Sequence, residues 1–126
     1  MDIVVSPQER LRLSKVEGDL IIGDGGVVEV EGEELIVTGA VICRGDARIQ
    51  GSVRAERLEG EPEERRLWRE RRGGRIRIDG DLNVKDYVRV RNFLTVKGSL
   101  SAEDVDVGGA LEVGRGVSCR LSLIHI

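Results

Sequence analysis

A chain of 126 residues with 17 glycines, two prolines and a net charge of −3 is sized for one domain and lacks a global field to draw it onto nucleic acid or anionic lipid. Its 40% apolar content comes almost wholly from Val, Ile, Leu and Ala, with Trp68, Tyr87 and Phe93 the only aromatics. This β-branched, corner-rich composition argues against a helical bundle. No apolar run approaches the ~20 residues that span a bilayer, and residues 1–7 lack the basic and apolar regions of a secretory signal. A cytoplasmic location is therefore expected.

Residues 1–14 read as an N-terminal tail or cap, and Ile3, Val4 and Val5 could fold over whatever follows. From Val16 onward a short pattern recurs: apolar, any, Gly, small or Asp, Leu or Val, any, apolar or small. Its six copies centre on Gly18, Gly39, Gly51, Gly80, Gly98 and Gly109. In each copy the apolar positions share one parity, so each predicts a half-buried strand. Val16, Leu20, Val37, Val41, Ile49, Val53, Ile78, Leu82, Val96, Leu100, Val107 and Leu111 should point inward in stacked rows. Glycine on the inward parity marks corners where backbone approaches backbone.

The glycine spacings are 21, 12, 29, 18 and 11 residues. Cutting after the third copy aligns Gly18, Gly39 and Gly51 with Gly80, Gly98 and Gly109, and Val28-Glu29-Val30-Glu31 with Val88-Arg89-Val90-Arg91. Two similar halves result, 15–60 and 76–117. Coils of about 18 to 21 residues suit an all-β, single-domain β-solenoid, each coil burying its apolar face on its neighbours.

Between the halves, residues 61–75 read as a short charged helical insertion. Pro62 suits the first helical position, Glu63 and Glu64 the positive end of the dipole, Arg71 and Arg72 the negative end, and Gly73 the stop. Leu67 and Trp68 are expected to lie against the solenoid. The arginine run 65–75 is offset by Glu61, Glu63 and Glu64 at helical spacing, which favours a solvated surface with no nucleic-acid partner. Residues 118–126 read as a tail of doubtful origin, because the stretch from Arg120 breaks the pattern.

The chemistry-bearing residues are sparse. The only histidine is His125, outside the repeats, which leaves no general acid or base at the usual place. Residues 22–27 are faintly similar to the hexapeptide repeat of left-handed β-helix acyltransferases, but the period of six and the repeat-borne His are missing. The cluster Gly23-Asp24-Gly25-Gly26 lacks the Lys and the helix of a phosphate-cradling loop. Asp19, Asp24, Asp46, Asp79, Asp81 and Asp86 lack the tandem spacing of a calcium roll and are read as turn formers. Cys43 is read as a small core hydrophobe, and with Cys119 it gives neither metal spacing nor a disulfide framework. No catalytic residue, cofactor or metal site is expected. Val105, Val107, Leu111, Val113 and Val117 form a largely apolar last coil without a cap, and are the candidates for self-association.

Residues 37–41, 49–60 and the later copies at Gly80, Gly98 and Gly109 resemble the bactofilins, polymer-forming cytoskeletal proteins. The resemblance covers most of residues 15–117. It implies a right-handed β-helix that assembles end to end with itself into nucleotide-independent filaments, as a scaffold at the membrane or cell wall with membrane- or cell-wall-associated proteins as further partners. A bactofilin core runs without a break like that at 61–75. Three rival readings are a monomeric protein-binding solenoid, the β-helical domain of a septum inhibitor, and a hexapeptide-type acyltransferase.

Overall fold

The computed structural model describes residues 2–60, 75–90, 93–119 and 124–125. Among the described residues, the apolar/polar alternation of the sequence becomes seventeen strands, grouped in coils. The first coil holds β1 (Ile3–Val5), β2 (Arg10–Leu13) and β3 (Lys15–Val16); the second holds β4 (Leu20–Ile22) and the long β5 (Gly26–Val37). The third holds β6 (Ala40–Cys43) and the long β7 (Ala47–Ala55); the fourth holds β8 (Arg57–Gly60), β9 (Arg75–Ile78) and β10 (Leu82–Val84). The fifth holds β11 (Tyr87–Val90), β12 (Phe93–Val96) and β13 (Ser99–Ala102); the sixth holds β14 (Asp104–Val107), β15 (Ala110–Val113) and β16 (Gly116–Cys119). β17 (Ile124–His125) follows.

Among the described residues every pairing is parallel, and each strand pairs with its counterpart one coil away. One sheet runs β1-β4-β6-β8-β11-β14-β17. In the other, the front of β7 pairs with β9 and its rear with β10, while β5 likewise pairs with both β2 and β3. That sheet therefore consists of two strips that meet at Gly51. The result is an all-β solenoid of about six turns with three faces around one core. Face 1 is the seven-stranded sheet, face 2 the strip containing β9 and β12, and face 3 the strip containing β10 and β13. Among the described residues there is no helix.

Gly51 shows why a corner wants glycine. Its φ is 144°, outside the range of ordinary side-chain-bearing residues, and a Cβ there would lie 2.6 Å from Val30 Cβ. Eleven of the twelve residues predicted to point inward are buried, and Leu111 is half-buried because β15 lies at the end of its strip. Within the core, Leu20, Val41, Leu58, Val88 and Val105 form one row, and Ile49, Ile78 and Val96 another that ends at Val113. Each buried aliphatic contributes roughly 1.5–3 kcal/mol.

The structural repeat is the single coil, of 17 residues from Ile3 to Leu20, Ala40 to Arg57 and Tyr87 to Asp104, and 18 from Leu82 to Leu100. Two coils are longer. One carries extra residues at the register shift between Glu29 and Glu34 of β5, and the other contains residues 61–74. The glycine motifs do not stack as the two-half alignment predicts. Gly18 and Gly39 share the corner entering face 1, Gly51, Gly80 and Gly98 share the corner between faces 2 and 3, and Gly109 stands between β14 and β15. The physical reason is that all three corners demand close backbone approach, so one motif marks each of them. The predicted helix, with Leu67 and Trp68, lies outside the described residues.

Both margins also differ from expectation. Residues 3–5 and 10–13 are strands of the first coil, and β16 and β17 extend the ladder into the segment set aside as a tail. The corner aspartates do bond to backbone, but across coils. Asp2 Oδ1 accepts from Asp19 N (2.9 Å) and Asp19 Oδ1 from Ala40 N (2.9 Å). Asp24 Oδ1 accepts from Asp46 N (2.9 Å), Asp46 Oδ1 from Arg75 N (3.1 Å), and Asp81 Oδ1 from Ser99 N (2.8 Å). Ser52 Oγ accepts from Asp81 N at 3.0 Å in the same sense. These bonds satisfy backbone donors that the turns between strands would otherwise leave to water.

Candidate assembly surfaces at the solenoid ends

A solenoid's hydrogen-bond ladder stops at its first and last coils, where strand edges and core rows reach the surface together. At the C-terminal end β15 pairs with β12 and β16 with β13, and no described strand pairs with either on the other side. Here the five candidate residues separate. Leu111 and Val113 are half-buried and Val117 is 39% exposed, all on these end strands. Val105 and Val107 are fully buried in β14, whose outer edge pairs with β17 through Val105 and Asp106. They belong to the core beneath the end.

The N-terminal end has the same character. β1 pairs with β4 while β2 and β3 pair with β5, leaving their other sides without a described strand. Ile3, Val4 and Val5 do not fold over this coil; they are its face-1 strand, in register with Leu20, Ile21 and Ile22. Ile3, Leu11 and Leu13 are half-buried, packed on the core from outside. The alternation Arg10-Leu11-Arg12-Leu13 signals this strand in the sequence, but it carries no glycine motif, so the repeat pattern does not reach it.

The two ends differ in charge. Arg10 and Arg12 on β2 reach Glu29 at 3.2 and 3.8 Å, and Lys15 on β3 reaches Glu17 at 3.6 Å. Charged edges of this kind discourage indiscriminate pairing. At the other end β15 carries one charge, Glu112, and Gly116, Val117, Ser118 and Cys119 of β16 carry none.

Burial pushes the Cys43 thiol from its ordinary 9.0 up to about 12, which keeps it protonated and inert as a nucleophile. The Tyr87 hydroxyl donates to Glu59 Oε1 at 2.5 Å, and that bond, with some desolvation, raises its pKa. A groove of about 480 Å³ on face 3 runs past Ile36, Arg54, Glu56, Asn83, Lys85 and Ser101. Among the described residues, no group of three or more His, Cys, Asp or Glu could hold a metal ion, and no helix is long and apolar enough to cross a membrane. Compared with known proteins, the chain matches no family model, no curated protein and no solved structure.

Proposed function

We propose that this protein is a non-enzymatic structural unit that assembles with itself through the ends of its solenoid, as the resemblance to bactofilins implies. The observation that supports this reading is the pair of end strands β15 and β16, with Leu111, Val113 and Val117 reaching the surface beside a ladder edge that carries a single charge. If docking removes about 600 Å² of apolar surface, the gross gain is about 15 kcal/mol, against an association cost of ~4–15 kcal/mol. Assembly is then set by how well the edges pair. The charged N-terminal end is the more selective of the two, so C-terminal ends pair at lower concentration. The unit would serve as a cytoplasmic scaffold that gathers membrane- or cell-wall-associated proteins.

Light scattering against concentration, with negative-stain microscopy of the same samples, tests the reading. Long polymers mean that both ends engage, and a dimer means that one does. A strict monomer at high concentration overturns it.

A further inference from the structure

The outward residues of face 2 form a grid, because strands one coil apart lie ~4.8 Å from each other and outward residues along a strand recur every ~6.7 Å. Arg77 stands at its centre. Arg48 and Thr95 flank it on the neighbouring coils, Arg75 precedes it beside Phe93, and Asp79 follows it beside Lys97. A hollow of about 300 Å³ opens here, lined by Arg75, Arg77, Phe93 and Thr95 over Ile76.

Three cations converge on one carboxylate in this grid. Arg48 Nε and Arg77 Nε each donate to Asp79 at 3.1 Å, and Lys97 Nζ lies 3.8 Å away. Asp79 is only 17% exposed, whereas the side chains of Arg48, Arg77 and Lys97 are 46%, 46% and 53% exposed. The carboxylate thus holds the cations in place from beneath, and each guanidinium spends one of its five donors on it. Arg75 is fixed separately, its guanidinium 5.4 Å from the centre of the Phe93 ring. Phe93 itself is 43% exposed, unusual for the lone phenylalanine of a chain with so few aromatics.

The charges do not balance. Arg48, Arg75, Arg77 and Lys97 supply four positive charges, and Asp46, Asp79 and Glu112, the last beside Thr95 on the next coil, three negative ones, an excess of one on a chain whose net charge is −3. A carboxylate ligand would cancel that charge but offers only two acceptor oxygens to the free donors of the guanidiniums, the ammonium and the hydroxyl. A phosphate monoester carries roughly −1.5 to −2 and three acceptor oxygens, and planar guanidiniums match its geometry better than they match a single point charge. We propose that this hollow is a binding site for a phosphoryl group, with Arg48, Arg77 and Lys97 as charge partners, Thr95 as a hydroxyl donor, and the Arg75–Phe93 pair as the wall against which the rest of the ligand lies. The group could belong to a soluble phosphate or to a lipid headgroup.

Titration calorimetry with inorganic phosphate and with tripolyphosphate, and co-sedimentation with vesicles containing phosphatidic acid, whose headgroup is a phosphate monoester, against phosphatidylcholine vesicles, test the site and separate its sources. The expected result is saturable binding in at least one of the phosphate or phosphatidic acid arms, weakened by salt and at least tenfold weaker in the double variant Arg48→Gln/Arg77→Gln. Binding in the calorimetric arm identifies a soluble phosphate as a source, and binding to phosphatidic acid vesicles alone identifies the headgroup. The variant Arg54→Gln/Arg57→Gln removes the same charge from the other two faces and should bind within about twofold of the parent. Circular dichroism confirms that both variants fold. Lack of saturable binding in every arm, equal binding to phosphatidylcholine, or an equal loss in the two double variants overturns the proposal.

Discussion

Substituting Lys at two positions of one core row separates assembly from folding. Val96 and Val113 are neighbours in that row, Val96 fully buried in β12 and Val113 half-buried in β15 at its end. In Val113→Lys the aliphatic stem can lie along the row while the ammonium reaches water past the end strand, so the isolated solenoid should lose less than about 1 kcal/mol. In a joint between ends, the same ammonium is desolvated without a partner. Forfeiting a valine's burial costs about 1.5 kcal/mol and stranding the charge at least as much again, some 3 kcal/mol together. At 1.4 kcal/mol per decade, association should weaken about a hundredfold. In Val96→Lys the charge has no route to water, and a cost above about 4 kcal/mol should abolish folding. Sedimentation velocity reads the association, and circular dichroism with thermal unfolding reads the fold. Self-association of Val113→Lys at the parent's concentration would refute the joint, and unfolding of Val113→Lys to the extent of Val96→Lys would refute its place at the end of the row.

Gly51→Ala should destabilise by roughly 2–4 kcal/mol, because it combines an unfavourable φ with the contact on Val30; Gly32→Ala, at φ 91° with open space around it, should cost only about 1 kcal/mol in the same urea titration. Asp81→Ala removes the acceptor for Ser99 N and should cost about 1 kcal/mol, read as a lower urea midpoint at unchanged slope. Cys43 favours its neutral form in the fold, so its contribution is complete below pH 9 and is lost as pH rises from about 9 toward about 12. The stability difference between the parent and Cys43→Val should therefore change with pH only above about 9, and thiol reagents should leave native Cys43 unmodified at neutral pH.

Parity carried the fold into the sequence. The alternation that places Leu20, Val41, Ile49 and Val53 inward is a local property of extended backbone, and it transfers directly to the sheets. Coil length was harder to read, because the glycine motif marks all three corners of the solenoid and equal motifs therefore suggested a false equivalence between Gly51 and Gly109. Leu111, Val113 and Val117 were legible as end residues from the apolar last coil. Val105 and Val107 belong to that coil too, but a strand beyond them cannot be foreseen where Ile124 and His125 lack the repeat pattern. The basic grid on face 2 was hidden for another reason. Arg48, Arg77 and Lys97 are 20 or more residues apart, and only the 29- and 18-residue coil steps bring them onto one surface.

Most of the corner bonds have a direction. In six of them the side-chain acceptor belongs to the earlier coil and the backbone donor to the later one, from Asp2 to Asp19, Asp19 to Ala40, Asp24 to Asp46, Asp46 to Arg75, Ser52 to Asp81 and Asp81 to Ser99, whereas Gly18 N donates forward to Thr38 Oγ1 of the next coil (2.7 Å). A chain emerging from its N-terminus therefore finishes these six acceptors before the donors that need them are made. At those six places a completed coil presents a side-chain acceptor where the next coil turns. The reverse order, starting at the C-terminus, would leave the six backbone donors waiting for a partner not yet in place.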